Sequence, residues 1–431
     1  VLLLFKDPQT LGGQTGITEA LFVQPRNPRA EQWTGRRLGA DGARQQLKLQ
    51  YTADNTAFAG AGVPWARFAR VLFLDLPTDV RDNPEDPADL ASLVATFRTQ
   101  AGVPATYTPE RTFVELSLQR NNFRDAAALL AYLQPLVQQQ PALASEPSVK
   151  AFLSASGPER QRLVSQPASR HDTAPLDDAL TVLREVKTPE ELVLLRRAIR
   201  ISTAGQREVM RAVRPDMGEM EVQGLHEFVY KKYGAEFEGY PSIVGAGNNA
   251  CVLHYTQNDK PRLGTDLLLM DCGAEYHGYT ADVTRTVPPS GKFSPEQKQI
   301  YELVLAAQEA GIRECKPGNE FQAPGRAAQQ VIASGLLRLG IIKTPEEVRT
   351  YFPHGTSHYL GLDVHDVGAK YRTFEAGMVY TCEPGIYIRE EGLGIRLEND
   401  ILITKTGNED LMRNIPLEAD DIERLMQAGR P

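Results

Sequence analysis

Leu267-Leu268-Leu269-Met270-Asp271-Cys272-Gly273 is an apolar run that ends on a carboxylate, and Ala274-Glu275-Tyr276-His277-Gly278-Tyr279-Thr280-Ala281-Asp282-Val283-Thr284 follows it directly. The apolar residues read as a buried strand. The midpoint between Asp271 and Asp282 falls at Tyr276–His277, beside Gly278. A hairpin closing there makes the two aspartates near cross-strand neighbours. Carboxylates that close repel unless a proton or a cation stands between them. Unrelated surface positions would account for Asp282 but not for Asp271, which follows an unbroken apolar run.

The pattern recurs downstream. Met378-Val379-Tyr380-Thr381-Cys382-Glu383-Pro384-Gly385 is a second apolar strand reaching an acid just before a glycine, and Ile395-Arg396-Leu397-Glu398-Asn399-Asp400 supplies the next acid. The midpoint between Glu383 and Glu398 lies in the glycine turn Glu390-Glu391-Gly392-Leu393-Gly394. Aligning Asp271 with Glu383 also aligns Asp271-Cys272-Gly273 with Glu383-Pro384-Gly385, as a diverged internal duplication would; coincidence is the alternative.

Four inward-facing acids need counter-charge, and two divalent cations bring the sum to zero. Of the chain's seven histidines, six (His226, His254, His277, His354, His358, His365) fall between positions 226 and 365. His358 lies between the two hairpins in sequence and suits the role of a nitrogen ligand. Oxygen-rich ligation with one imidazole and no thiolate favours Mn²⁺, Co²⁺ or Zn²⁺. Two such ions about 3.5–4 Å apart can share a water and turn it into a nucleophile. His354 and His358 have the i, i+4 spacing of a helical zinc site, but Gly355 stands where that motif requires Glu. Gly355 and Gly361 point instead to an irregular segment. Cys272 and Cys382, beside two of the acids, should face the opposite side of their strands and be inert.

Composition sets the frame. The chain has 431 residues, 42% apolar and 24% charged, with net charge −8 and four cysteines. That length calls for two domains. The acidic balance gives no support to nucleic-acid binding. No apolar run is long enough for a spanning helix, so no membrane role is expected. Four cysteines are too few for a disulfide framework. The chain opens on Val1-Leu2-Leu3-Leu4-Phe5, which reads as a strand in progress and suggests a missing natural N-terminus.

Strands alternating with helices in the first third indicate an α/β layer. Ala69–Leu76 reads as a buried strand, Asp125–Leu143 as a helix, and Gln32-Trp33-Thr34-Gly35-Arg36-Arg37-Leu38-Gly39 as a solvated turn. Residues 165–178 read as a connector, which divides the chain into domains at 1–175 and 176–431. Thr188-Pro189-Glu190-Glu191, Ser294-Pro295-Glu296-Gln297 and Thr344-Pro345-Glu346-Glu347 each carry the signature of a capped helix start.

From about Thr188 onward the chain resembles the pita-bread metallopeptidases. The matching stretches are Val252–Thr256, Met270–Thr286, His354–Val367, Thr381–Ile388 and Gly394–Asp400. His354-Gly355-Thr356-Ser357-His358-Tyr359-Leu360-Gly361-Leu362-Asp363-Val364-His365-Asp366 is most similar to the aminopeptidase P branch, as is Gln32–Gly39. The resemblance implies an α+β catalytic domain with pseudo-twofold duplicated halves behind the α/β domain. It implies that Asp271 chelates one metal, Asp282 and Glu398 bridge both, and His358 and Glu383 bind the other. His254 and His365 match the catalytic imidazoles, and Glu383 matches the proton shuttle. His354, Tyr387 and Arg396 match substrate-pocket positions, where packing or an ion pair would serve equally well. The implied reaction is hydrolysis of an N-terminal Xaa-Pro bond by a metal-bridging hydroxide, with two ions, Mn²⁺ first and Co²⁺ or Zn²⁺ as alternatives. Peptides are the implied partners. A homo-oligomer (dimer or tetramer) and a cytoplasmic location, with export left open, are further expectations from the resemblance. A prolidase acting on Xaa-Pro dipeptides and a non-catalytic peptide-binding protein on the same fold are the alternatives. Metal-free creatinase-type chemistry is disfavoured by the complete ligand set.

Overall fold

In the computed structural model of the chain, residues 1–74, 76, 80–83, 86–104, 114, 117, 125–164, 170–370 and 372–429 are described. They fall into two compact units that divide between Asp178 and Ala179. None of their helices is long and apolar enough to cross a membrane.

The first unit is α/β. Strands β1 (Leu2–Leu11) and β2 (Gln14–Val23) pair antiparallel, and β3 (Tyr51–Asp54) joins β2 in parallel. Leu11, Phe22, Tyr51, Phe58 and Trp65 form the core beneath them. The expected strand over Ala69–Leu76 shrinks to β4, Val71–Leu72. Its partner β5 is only His171–Asp172, so the ladder ends after two pairs and Leu72 and Leu74 are exposed. Asp75 lies outside the described residues. The helix expected from Asp125 runs Ala126–Gln139, with the Asp125 carboxylate accepting from Ala128 N. Arg36 and Arg37 sit between two short helices, Arg36 exposed and Arg37 half-buried. The connector expected over 165–178 is only partly a connector. Residues 165–169 lie outside the described set, and the helix Ala174–Glu185 already starts within it. The Thr173 carbonyl accepts from Leu176 N and Asp177 N and so opens that helix.

In the second unit the helix Pro189–Ala212 starts at a complete capping box between Thr188 and Glu191. Leu195, Ala198, Ile199, Ser202, Gln206 and Val209 recur at helical spacing and form its buried face. Two of these are polar and grip the first acid-bearing hairpin: Ser202 Oγ accepts from Ala274 N at 2.9 Å, and Gln206 Nε2 donates to Met270 O at 3.2 Å. The helix Pro295–Glu314 begins with an equally complete box at Ser294. The third expected start fails. Glu347 accepts from Lys343 N instead of Thr344 N, so Pro345–Glu347 makes only a 3₁₀ turn before the four-residue helix Val348–Tyr351.

Both hairpins form, and both follow one plan. In the first, β8 (Leu268–Asp271) pairs antiparallel with β11 (Thr284–Val287), and beyond a break β9 (Ala274–Tyr276) pairs with β10 (Tyr279–Thr280). The turn is His277-Gly278 with φ 51° and 84°, both left-handed. β6 (Phe237–Glu238) extends the inner pair and β7 (Ile243–Ala246) the outer. In the second, β12 (Val379–Cys382) pairs with β15 (Asn399–Ile403), and beyond a break β13 (Gly385–Ile388) pairs with β14 (Leu393–Arg396). Gly392, φ 60°, closes the second turn, and β16 (Asn408–Asp410) extends the outer sheet. All four acids lie at the two breaks. The duplicated pita-bread arrangement expected from the sequence is the arrangement present.

Candidate active site

A break in a ladder lets backbone and side chains turn inward together. Asp271 stands opposite Thr284, and Cys272 N donates to Val283 O, which leaves Asp282 facing the narrow passage at Gly273. A Cβ on Gly273 would sit 1.9 Å from Ala281 O, so only glycine lets the two strands approach this closely. The aspartates are therefore neighbours: Tyr240 Oη lies 2.6 Å from Oδ1 of each. In the second hairpin Cys382 pairs with Asn399, which sets Glu383 opposite Glu398.

The two pairs converge. Glu398 N donates to Thr284 O at 3.1 Å, and Thr284 Oγ1 donates to Glu398 Oε2 at 2.6 Å. His358 Nε2 lies 3.3 Å from Asp282 Oδ2 and 3.6 Å from Glu383 Oε1. Asp282, His358 and Glu398 each place one ligand atom within 4.8 Å of the others. Asp271, Asp282 and Glu398 are 7%, 4% and 1% exposed. The segment 354–361 is irregular, so the i, i+4 spacing of His354 and His358 does not put them on one helix face.

The electrostatics of this group ask for positive charge. Burial pushes the Glu383 carboxyl up to about 8, and Glu398 pushes in the same direction. Burial likewise raises Glu398 and Asp282, and the neighbouring Asp282 adds to the rise of the former and Asp271 to that of the latter. One phenol proton cannot satisfy two carboxylates, so the paired Tyr240 contacts require a carboxyl proton or a cation between the aspartates. His358 Nδ1 lies 2.9 Å from Tyr359 O and donates to it, which leaves the Nε2 lone pair aimed at the acids. Four carboxylates, one imidazole lone pair and no thiolate fit hard or borderline divalent ions.

The other expected residues gather around this group. His254, His354, His358, His365, Glu383 and Arg396 line one cavity of about 390 Å³ together with Asp271, Asp282 and Glu398. The His365 ring centre is 4.4 Å from that of His358 and 6.1 Å from that of His254. Burial, then the neighbouring His358 and His254, lower the His365 pKa. His354 Nε2 accepts from Tyr387 Oη at 2.8 Å, and Arg396 Nη1 donates to the same oxygen at 3.1 Å. Burial and Arg396 hold His354 down at about 4. Arg396 also pairs with Asp271 at 2.5 Å.

The cysteines stand behind the site. Cys272 Sγ faces Ile243 O at 3.8 Å and Cys382 Sγ faces Gln308 O at 3.7 Å, and both are fully buried. Burial raises the Cys272 pKa, and the adjacent Cys315 thiol followed by burial raises that of Cys382. Tyr240 and the buried Asp400, whose Oδ2 accepts from Asp282 N at 3.3 Å, escaped the sequence reading as parts of the site. Tyr240 comes just before the apolar run that forms β7, and nothing local ties it to acids far along the chain. Asp400 immediately follows Glu398-Asn399, and its complete burial was its only distinguishing property.

Comparison with known proteins identifies the family of both parts of the chain. Residues 193–405 match metallopeptidase family M24, and residues 1–61 match the aminopeptidase P N-terminal domain. The chain is 35% identical to the Xaa-Pro aminopeptidase of Haemophilus influenzae over 427 residues, covering 94% of this chain and 81% of that protein. It is 40% identical to the Escherichia coli Xaa-Pro aminopeptidase over 290 residues, covering 63% of this chain and 65% of that one, just under two thirds of its length. The structure of a Pseudomonas aeruginosa aminopeptidase superposes with a TM-score of 0.72 at 29% identity, covering 97% of this chain and 84% of that one. The chain belongs to the aminopeptidase P family within the M24 metallopeptidases.

Proposed function

We propose that this chain removes the N-terminal residue from peptides with proline in second position, using two divalent ions held by Asp271, Asp282, His358, Glu383 and Glu398. The observation that carries this reading is the convergence of three buried carboxyls, the half-buried Glu383 and the lone pair of His358 on one cavity. By correspondence with the family, these five residues are the ones that would hold the ions. When bound, the ions supply Lewis acidity and lower the pKa of the attacking water.

The chain's own residues supply the rest. Glu383, ionised beside the bound cations, would take the water's proton and pass it to the leaving proline nitrogen. His254 and His365 stand on the cavity wall, where an N–H donor meets the scissile carbonyl and the developing oxyanion. The lowered pKa of His365 keeps it neutral with one N–H to offer. Proline carries no N–H, so the leaving side must be recognised by shape. The His354–Tyr387–Arg396 chain supplies a rigid wall for that purpose. Mn²⁺ is the first choice of ion and Co²⁺ or Zn²⁺ the second; a zinc-substituted form of the E. coli aminopeptidase P has been solved with product. We assign this chemistry to residues 176–431.

The test is hydrolysis of matched Xaa-Pro-Yaa and Xaa-Pro peptides by metal-depleted enzyme with and without added Mn²⁺. Mn²⁺-dependent release of Xaa from the tripeptide is expected. Cleavage of the dipeptide alone would favour the prolidase reading, and tight peptide binding without hydrolysis would favour a binding role.

A further inference from the structure

His365 carries a proposed catalytic imidazole, yet its ring makes no hydrogen bond among the described residues. Its place is set by the backbone around it, and the next residue is the best-anchored side chain of that loop. The Asp366 side chain is 1% exposed. Its Oδ2 accepts from Lys187 Nζ at 3.2 Å, and its Oδ1 accepts from Arg184 Nη2 and from Val367 N. The Lys187 side chain is also 1% exposed. Two cations on one buried carboxylate exceed what neutralisation needs; Arg184 passes its surplus to Asp363 Oδ2 at 2.6 Å.

Lys187 is fixed by its surroundings, and Arg184 lies in the last turn of the helix Ala174–Glu185. Lys187 immediately precedes the Thr188 capping box, and Lys187 N donates to Gly377 O at 2.9 Å. Gly361 makes the contact sterically feasible. A Cβ there would lie 2.3 Å from Asp366 Oδ2 and 2.9 Å from Lys187 Cε. Gly361 O in turn accepts from Thr280 N in β10, which ties the same loop to the Asp282 hairpin. Asp366 N donates to Tyr359 O, next to the ligand candidate His358.

We propose that Lys187 and Arg184, acting through Asp366, are positioning residues that hold the His365 imidazole in register with the reacting carbonyl. This rests on the role assigned to His365 above. A carboxylate gripped from two sides cannot rotate, so the adjoining Cα of His365 cannot drift. Displacement of a catalytic group by about 1 Å is enough to cost up to 100-fold in rate.

The experiment is a double-mutant cycle on Mn²⁺-loaded full-length enzyme, combining Lys187→Met with His365→Ala. Methionine keeps the stem beside Gly361 and removes the charge, while Asp366 stays paired with Arg184. Lys187→Met is expected to lower kcat at least about tenfold, with KM within about twofold of wild type and bound metal unchanged. In the His365→Ala background the same substitution is expected to lower kcat by less than about twofold, because its target is gone. An equal loss in both backgrounds, wild-type kcat in Lys187→Met, or a loss of bound metal that accounts for the fall in kcat would overturn the proposal. Wild-type turnover in His365→Ala would strike the role of His365 itself. Should Lys187→Met fail to fold, Arg184→Gln, whose side chain is 23% exposed, runs the same cycle.

Discussion

Glu398 and Thr284 exchange two hydrogen bonds: the Glu398 amide donates to the Thr284 carbonyl at 3.1 Å, and the Thr284 hydroxyl donates to Glu398 Oε2 at 2.6 Å. The two hairpins are thereby locked together at the point where their acids meet. Arg285 reinforces the joint, since its Nη1 donates to both Thr284 O and Glu398 O. The geometry of the four carboxyls is thus a property of the scaffold.

Tyr240 should govern how tightly ions are held. Its hydroxyl orients Asp271 and Asp282 at 2.6 Å each. Tyr240→Phe removes that restraint and keeps the ring. Metal affinity by titration calorimetry should weaken about 10–100-fold, the usual effect of losing a group that orients a ligand. Wild-type affinity would mean that the aspartates are held by other contacts.

The metal-free protein should lose stability as pH rises. Glu383 titrates near 8 when folded against an ordinary 4.5, so the folded state holds the extra proton between those values. The stability it contributes is fully present below about 4.5 and lost as pH climbs through about 8. Glu398 and Asp282 are shifted in the same direction. Thermal melts in chelator should therefore fall between about pH 5 and pH 8.5, and excess Mn²⁺ should flatten the decline because cations replace the protons. A chelated protein whose melting point rises across that window would contradict the repulsion described.

Gly273 is the narrowest point of the first hairpin. Gly273→Ala places a methyl 1.9 Å from Ala281 O, a backbone atom that cannot swing aside. Strand separation should cost about 1–3 kcal/mol in denaturant unfolding and lower metal occupancy together. Full occupancy at wild-type stability would show that the hairpin tolerates a wider gap.

Cys272 and Cys382 should be dispensable for metal. Their thiols face away from the acids; burial raises the pKa of Cys272, and the Cys315 thiol followed by burial raises that of Cys382. A folded Cys272→Ala/Cys382→Ala protein should keep its full metal complement, measured by elemental analysis. Loss of metal would place sulfur in the site.

Much of this site was legible because the two hairpins leave strong local marks, an apolar run ending on an acid with a glycine turn midway to the next acid. Those marks predict pairing, and pairing brings Asp271 to Asp282 and Glu383 to Glu398. The meeting of the two hairpins was not local, so Thr284, Arg285 and Tyr240 gave no signal before their partners were in place. The Thr344 segment shows the opposite failure. A good capping signature was present, but the Glu347 carboxylate bonded Lys343 N. In the first unit the Ala69–Leu76 run had the composition of a strand, and among the described residues its ladder with His171–Asp172 covers only Val71 and Leu72.

The central claim is that the four converging acids and His358 hold two catalytic ions. Its most direct test is Mn²⁺ titration into metal-depleted enzyme, with bound metal and Xaa-Pro-Yaa hydrolysis read on the same samples, for wild type, Asp282→Ala and Glu398→Ala. Two equivalents bound with activity rising alongside them, and neither in the two variants, is the predicted result. Wild-type turnover in either folded variant, or full turnover in the metal-depleted enzyme, would contradict it.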